Sequence, residues 1–225
     1  LRDAVPYGID NTAGPHAENI TVDNGHYRFD LVLGEQVLRG LTLGMPGRHN
    51  VENAVAAASM ALHAGASPES IRKGLAGFQG VRRRFEVRAR TATSVFIDDY
   101  AHHPTELEAC IRSVRELYPG RRVTGIFQPH LYSRTRDLAA DFARSLALLD
   151  ELVLLEIYPA REEPLPGISS AWLMEHIKGT NTVLCTKEQL LPLLQARDVD
   201  ILLALGAGDI DRLVPAIATM LNAKE

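Results

Sequence analysis

Five short apolar runs, at 94–97, 123–127, 152–157, 182–185 and 201–205, are each followed by a turn and then by a stretch with helical spacing. No other feature constrains the fold as strongly. Strands that alternate with helices must cross over to pair, which dictates parallel pairing. The expected class is therefore α/β, with a doubly wound, mostly parallel sheet. The helical stretches fall at 105–117, 134–148, 170–177, 187–196 and 210–221, and Thr105 with Glu108 fits a capping box. Residues 85–90 can add an antiparallel edge strand. Ligands of such sheets collect beyond the carboxyl ends of the strands. At those ends the chain carries Asp98-Asp99-Tyr100, Gln128-Pro129-His130 and Gly206-Ala207-Gly208-Asp209.

Before residue 82 the texture is different. Short strands at 19–23, 27–33 and 36–43 are separated by Asn24-Gly25 and Gly34-Glu35, the turn pairs of an antiparallel meander. A helix is expected from 50 to about 63, with Gly65 as its stop. A second opens at Ser67-Pro68-Glu69, where serine caps and proline suits the first turn. The chain thus divides into domains 1–81 and 82–225.

The 225 residues suffice for a core that needs no disulfide or metal to hold it. A hydrophobic fraction of 46% with 23% charged residues excludes a disordered or collagen-like chain. The net charge of −4 argues against a nucleic-acid binder, though not against a local anion pocket. Cys110 and Cys185 are too few for a disulfide framework, which points to a reducing cytoplasm. No run is long enough to span a membrane and no basic-then-apolar leader opens the chain. Residue 1 is Leu, so a fragment or processed product is expected.

Four constellations can carry chemistry. In Gly47-Arg48-His49-Asn50-Val51-Glu52-Asn53, the amides of Asn50 and Asn53 share a helix face beside His49. They can read a nucleobase edge, or Asn50 can simply cap the helix. Arg82-Arg83-Arg84 at the domain junction is either a phosphate-reaching guanidinium or a solvated linker. Asp98, Asp99, His102 and His103 lie within six residues; they suit a metal, or a carboxylate that bonds a ribose or an amine, with one histidine packing or capping. His130 and Arg134 sit at the mouth of a helix, where an arginine fork and the helix terminus can grip a carboxylate, or Arg134 lies along the surface. Gly206-Ala207-Gly208 lacks the third glycine of a dinucleotide fingerprint and reads as a tight turn.

Taken in order, Gly47-Arg48-His49-Asn50 with Asn53, Arg83-Arg84-Phe85-Glu86, the segment from Asp98 to Glu106, Phe127-Gln128-Pro129-His130 and Gly206-Ala207-Gly208-Asp209-Ile210 resemble the Mur ligases of peptidoglycan synthesis. The resemblance runs from about residue 5 to the end of the sequence. It implies that 1–81 is the end of a central P-loop ATPase domain and that 82–225 is the Rossmann-like C-terminal domain. No G-x-x-x-x-G-K-[ST] occurs, so the phosphate cradle, most magnesium ligands and the UDP-binding domain are expected outside this chain, which alone is expected to be inactive. For the whole enzyme the resemblance implies ATP- and Mg2+-dependent amide formation, joining L-alanine to the lactyl carboxylate of UDP-N-acetylmuramate through an acyl phosphate. By position it assigns His49, Asn50 and Asn53 to adenine, Arg84 to the γ-phosphate as the catalytic cation, and Asp99 to the nucleotide side. It likewise implies that Tyr100, His130 and Arg134 are the wall that holds the amino acid and its carboxylate. Domain closure about residues 82–84 would complete the site. Some relatives carry arginine directly after the motif histidine, where this chain has Leu131. A tripeptide-recycling ligase of the same superfamily, a metal-dependent hydrolase and a non-catalytic nucleotide-binding module are the competing readings.

Overall fold

In the computed structural model, which describes residues 4–23 and 26–224, the chain divides into two units, Leu1–Gly80 with Glu116–Tyr118, and Val81–Arg115 with Pro119–Glu225. The first holds an antiparallel sheet in the order β1 (His16–Asp23), β2 (His26–Leu33), β3 (Gln36–Leu43). Along β2, Tyr27, Phe29 and Leu31 are buried in alternation, the period-two pattern of a sheet with one covered face. The expected Asn24-Gly25 turn lies outside the described residues. Strand β1 begins three residues earlier than expected, because a register shift between Glu18 and Thr21, with Asn19 at φ 53°, breaks its alternation.

Helices α1 (Arg48–His63) and α2 (Pro68–Gly77) follow. Ser67 caps α2 as expected, its Oγ accepting the Ser70 N–H at 3.1 Å. Helix α1 starts two residues before the expected Asn50, and its cap is Gly47, with no side-chain bond.

The second unit contains a six-stranded sheet. Its strands are β4 (Glu86–Arg90), β5 (Val95–Asp99), β6 (Val123–Phe127), β7 (Glu151–Leu155), β8 (Asn181–Cys185) and β9 (Ile201–Leu205), in the spatial order β4-β5-β9-β6-β7-β8. All pairs are parallel except β4 with β5, the edge pair expected at 85–90. Every residue of β5, β6 and β9 is buried, as continuous apolar runs covered on both faces require. Phe96, Ile126 and Leu202 share one core cluster with Leu190, Leu194, Ile217 and Leu221. Adjacent residues point to the other face, where Phe127 meets Phe142 at a ring separation of 5.5 Å.

The helices of this unit are α3 (Pro104–Leu117), α4 (Tyr132–Asp137), α5 (Ala139–Leu146), α6 (Ser170–His176), α7 (Lys187–Gln195) and α8 (Val214–Asn222). Three expectations are corrected. The helix expected at 134–148 is two, broken at Leu138 (φ −113°, ψ 18°). The helix expected at 210–221 is a 3-10 turn, Asp209–Arg212, followed by α8, because Pro215 cannot continue a preceding turn and sits instead at the start of a new one. The capping box belongs to Thr186 and Gln189 of α7, not to Thr105 and Glu108. At α3 the Glu106 carboxylate accepts the N–H groups of His102 and His103, and Glu108 pairs with Arg112 one turn on.

Candidate functional site

Strands β5, β9 and β6 are neighbours in register, with Leu205 opposite both Asp99 and Phe127, so their carboxyl ends stop at one level. The turn after β9 is drawn tightly over the loop after β6. Gly206 has φ 140°, and a Cβ there would lie 2.7 Å from the Gln128 carbonyl; a Cβ on Gly208 would lie 2.4 Å from Gln128 Oε1. The buried Gln128 amide accepts the Ile210 N–H at 3.0 Å and donates to Asp209 at 2.9 Å, while Lys187 holds the other Asp209 oxygen at 2.6 Å. The glycines therefore serve a tight turn, as expected.

Asp98 and Asp99 lie inside β5 rather than after it, and both are buried. Asp99 Oδ2 accepts the Phe85 N–H and Oδ1 accepts the Ala101 N–H, each at 2.7 Å. The carboxylate expected on the nucleotide side thus first fixes the backbone around Tyr100. Asp98 faces Arg83, with Glu86, Asp99 and Arg88 also around it. Burial outweighs the arginine and raises its carboxyl from 3.8 to about 6. A carboxyl with a raised folded value binds its proton more readily in the folded protein. Its contribution to stability is therefore largest below about pH 4 and is lost as the pH climbs through about 6, by up to about tenfold in the folding equilibrium per unit. Urea unfolding of wild type and Asp98→Asn should show this: the variant gains on wild type at pH 7.5 relative to pH 4.5. A constant difference between the two proteins would contradict it.

The three arginines at the junction are not equivalent. Arg83 is buried, with its Nη2 donating to the Gly206 carbonyl, so it is not the solvated linker that a basic run suggests. Arg84 is exposed, its guanidinium carbon 5.5 Å from the Tyr100 ring centroid, and Arg82 is exposed as well.

A row of rings forms the wall beside this junction. Tyr100 meets His102 edge-on at 5.2 Å, His102 meets His130 at 6.0 Å, and His130 stacks on Tyr158 at 5.7 Å. Tyr158 is fixed by two backbone bonds, its N–H to the Pro129 carbonyl and its carbonyl to the Leu131 N–H. Leu131 at φ 72° turns the chain into α4. Beyond this wall, His130 Nδ1 and Arg134 Nη1 are buried with no protein partner. Burial, followed by the charge of Arg134, lowers the pKa of His130, so its ring favours the neutral form. A buried guanidinium nitrogen and a buried ring nitrogen, both unmatched, suit a small polar ligand that carries an anionic group, such as a carboxylate. The terminus of α4 does not assist, since the helix is short and Glu162 accepts both the N–H and the hydroxyl of Ser133.

Tyr100, His130 and Arg134 therefore share one region with Arg84 and Asp99. His102 and Arg83, weighed above only as members of their runs, join them, and so does Tyr158, which the sequence does not single out. Tyr158 stands as far past β7 as His130 stands past β6, a signal hidden when β7 is read as running to 157. His103 helps to cap α3, its Nδ1 accepting the Thr105 N–H at 3.3 Å. The metal reading of the Asp-His segment falls: among the described residues no three His, Cys, Asp or Glu side chains come together to hold an ion.

His49, Asn50 and Asn53 lie in the first unit, at the start of α1. Gly47 at φ 107° makes room for the His49 ring, which a Cβ would approach to 2.7 Å. Asn50 does not cap the helix; its amide donates to the Pro46 carbonyl at 2.6 Å and its Oδ1 receives the Asn53 amide at 3.5 Å, which links the two carboxamides.

The fold is a doubly wound α/β domain whose loops past the carboxyl ends of β5, β6 and β7 gather Tyr100, His130 and Tyr158. The chain belongs to the Mur ligase family: the family described as "Mur ligase, glutamate ligase domain" matches residues 83–208. It is 51% identical over 215 residues to the UDP-N-acetylmuramate–L-alanine ligase of Parabacteroides distasonis, covering 96% of this chain and 46% of that protein. It is 52% identical over 206 residues to the enzyme of that name from Porphyromonas gingivalis, covering 91% and 45%. The crystal structure of UDP-N-acetylmuramate-alanine ligase from Thermotoga maritima superposes with a TM-score of 0.79 at 25% identity, over 98% of this chain and 48% of that one. The chain spans about half the length of the curated relatives it matches.

Among the described residues no helix is long and apolar enough to cross a membrane.

Proposed function

We propose that this chain is the amino-acid-receiving part of a cytoplasmic ATP-dependent ligase, and that the protein carrying it joins L-alanine to UDP-N-acetylmuramate. The observation that carries the reading is the pair of buried nitrogens, His130 Nδ1 and Arg134 Nη1, left without protein partners beside a wall of rings. The identity of 51% to a ligase of that name supports the choice of substrates. Residues 1–81 then end the central ATP-binding domain and 82–225 form the C-terminal domain.

The reaction has two stages. The lactyl carboxylate takes the γ-phosphoryl group of ATP, releasing ADP and forming an acyl phosphate. The amine of alanine then attacks the acyl carbon, loses its proton, and phosphate leaves as the amide bond forms. Arg84, whose side chain is exposed, answers the charge of the transferring phosphoryl group. His49, Asn50 and Asn53 meet the adenine. His130 and Arg134 take the carboxylate of alanine, and Tyr100 bounds its side. Asp99 acts on the nucleotide side through the loop it holds. Mg2+ takes its ligands mostly from the rest of the protein and from the phosphates of ATP.

The test follows ADP release by the full-length protein with ATP, magnesium and UDP-N-acetylmuramate, across amino acids and murein peptides. Release that requires L-alanine is the expected result. Release with tripeptide alone would move the chain to the recycling ligase, and no release with any acceptor would overturn the ligase reading.

A further inference from the structure

We propose that Arg83 is a positioning residue that fixes Tyr100 and Arg84 together, so that the wall of the amino-acid pocket and the phosphate-reaching cation are set by one buried guanidinium. The proposal rests on the amino-acid reading given above.

The backbone comes first. Arg83 has φ 59° and Phe85 φ 51°, two left-handed side-chain-bearing residues in three positions. Such conformations persist only where the surroundings over-determine them. Here the Arg83 N–H donates to Glu86 at 2.9 Å, the Phe85 N–H donates to Asp99 at 2.7 Å, and the Arg83 carbonyl accepts the Tyr100 N–H at 2.7 Å. The crank turns the side chain of Arg83 inward and leaves that of Arg84 exposed.

The guanidinium then ties separate loops. Its Nη2 donates to the Gly206 carbonyl at 2.5 Å, its Nε lies 3.5 Å from Asp98 and its Nη1 3.8 Å from Asp211. Its carbon lies 5.1 Å from the centroid of Tyr100, within cation–π range. The turn after β9, the end of β5 and the 3-10 turn thus converge on one side chain of which 9% is exposed. Tyr100 in turn bears on His102 and, at 5.5 Å, on Arg84. A planar fork that bonds a carbonyl while lying against a ring is a task lysine cannot repeat.

The experiment compares wild type, Arg83→Lys and Arg83→Met in the full-length protein, each first checked for a cooperative melt. Arg83→Met should raise KM for L-alanine ~10-fold or more and lower kcat, with KM for UDP-N-acetylmuramate changed less than about twofold. Arg83→Lys should recover the charge opposite Asp98 but less than half of the lost kcat/KM. In Arg83→Met the stability transition assigned to Asp98, which Glu86, Asp99 and Arg88 also face, should move to higher pH, because the cation that lowers its carboxyl is gone. A folded Arg83→Met with unchanged KM for alanine overturns the proposal. If Arg83→Met does not fold, an unchanged alanine KM in Arg83→Lys does so. Wild type that needs no amino acid for ADP release defeats the functional reading instead, while the Asp98 shift still reports whether Arg83 braces the loops.

Discussion

Arg134→Ala is expected to lower kcat/KM for L-alanine by about 100-fold to 10,000-fold, chiefly through KM. Hydrogen bonds to charged groups are worth ~1.5–3 kcal/mol each, and a guanidinium fork on a carboxylate makes two of them. Each ~1.4 kcal/mol is a factor of ten in affinity. The free protein should report the change as well. Arg134 is one of the two main causes that lower the pKa of His130, after burial. Its removal lets the His130 titration move up toward the ordinary value of 6.5, which imidazole proton shifts in NMR would follow without substrate. Arg134→Lys keeps the charge but loses the fork, and should fall between the two. An Arg134→Ala enzyme with unaltered alanine KM and an unmoved His130 would remove Arg134 from the pocket.

The second large effect is on folding. Asp99→Ala deprives two buried backbone groups, the N–H of Phe85 and that of Ala101, of their acceptors. An unmatched buried donor costs ~1–3 kcal/mol, so the pair should cost about 3–4 kcal/mol. For a unit of this size, that lowers the melting temperature by roughly 10 °C. Asp99→Asn retains one acceptor oxygen and should lose about half as much. Calorimetry of the three proteins checks the order. A melting point for Asp99→Ala within a degree of wild type would show that the backbone does not need this carboxylate.

The parallel sheet was legible in the sequence because burial on both faces forces runs such as Ile201-Leu202-Leu203-Ala204-Leu205. Strand ends were less so. Asp98 and Asp99 look like the start of a loop, yet ladder pairing with β9 carries the strand through them, and Arg83 and two amides meet their charge. The break at Leu138 is a backbone event with no residue type to announce it. Pro215 does announce the end of the 3-10 turn, but the helical spacing of the apolar residues continues across it and masks the break. Among the candidate residues, Tyr100 and His130 stand just past strand ends and Arg134 in the helix that follows, which is what makes them conspicuous in the sequence. His102 looked interchangeable with His103 until one was seen among the rings and the other at a helix cap. Three consecutive arginines are alike on paper, and only the left-handed turn at Arg83 distinguishes the buried one.

The order of strands also sets a schedule. The last parallel strand to be synthesised, β9, pairs with both β5 and β6, the first two. While a ribosome is still making residues 130–190, the nascent sheet has a vacancy at its centre rather than at its rim. The Gly206 carbonyl that receives Arg83 arrives only after that gap is filled. Domains complete during synthesis from their amino-terminal side, so here the hydrophobic flanks of β5 and β6 must wait for a distant partner. A premature stop between residues 156 and 200 would not trim an edge; it would leave two halves of a sheet with no strand to join them.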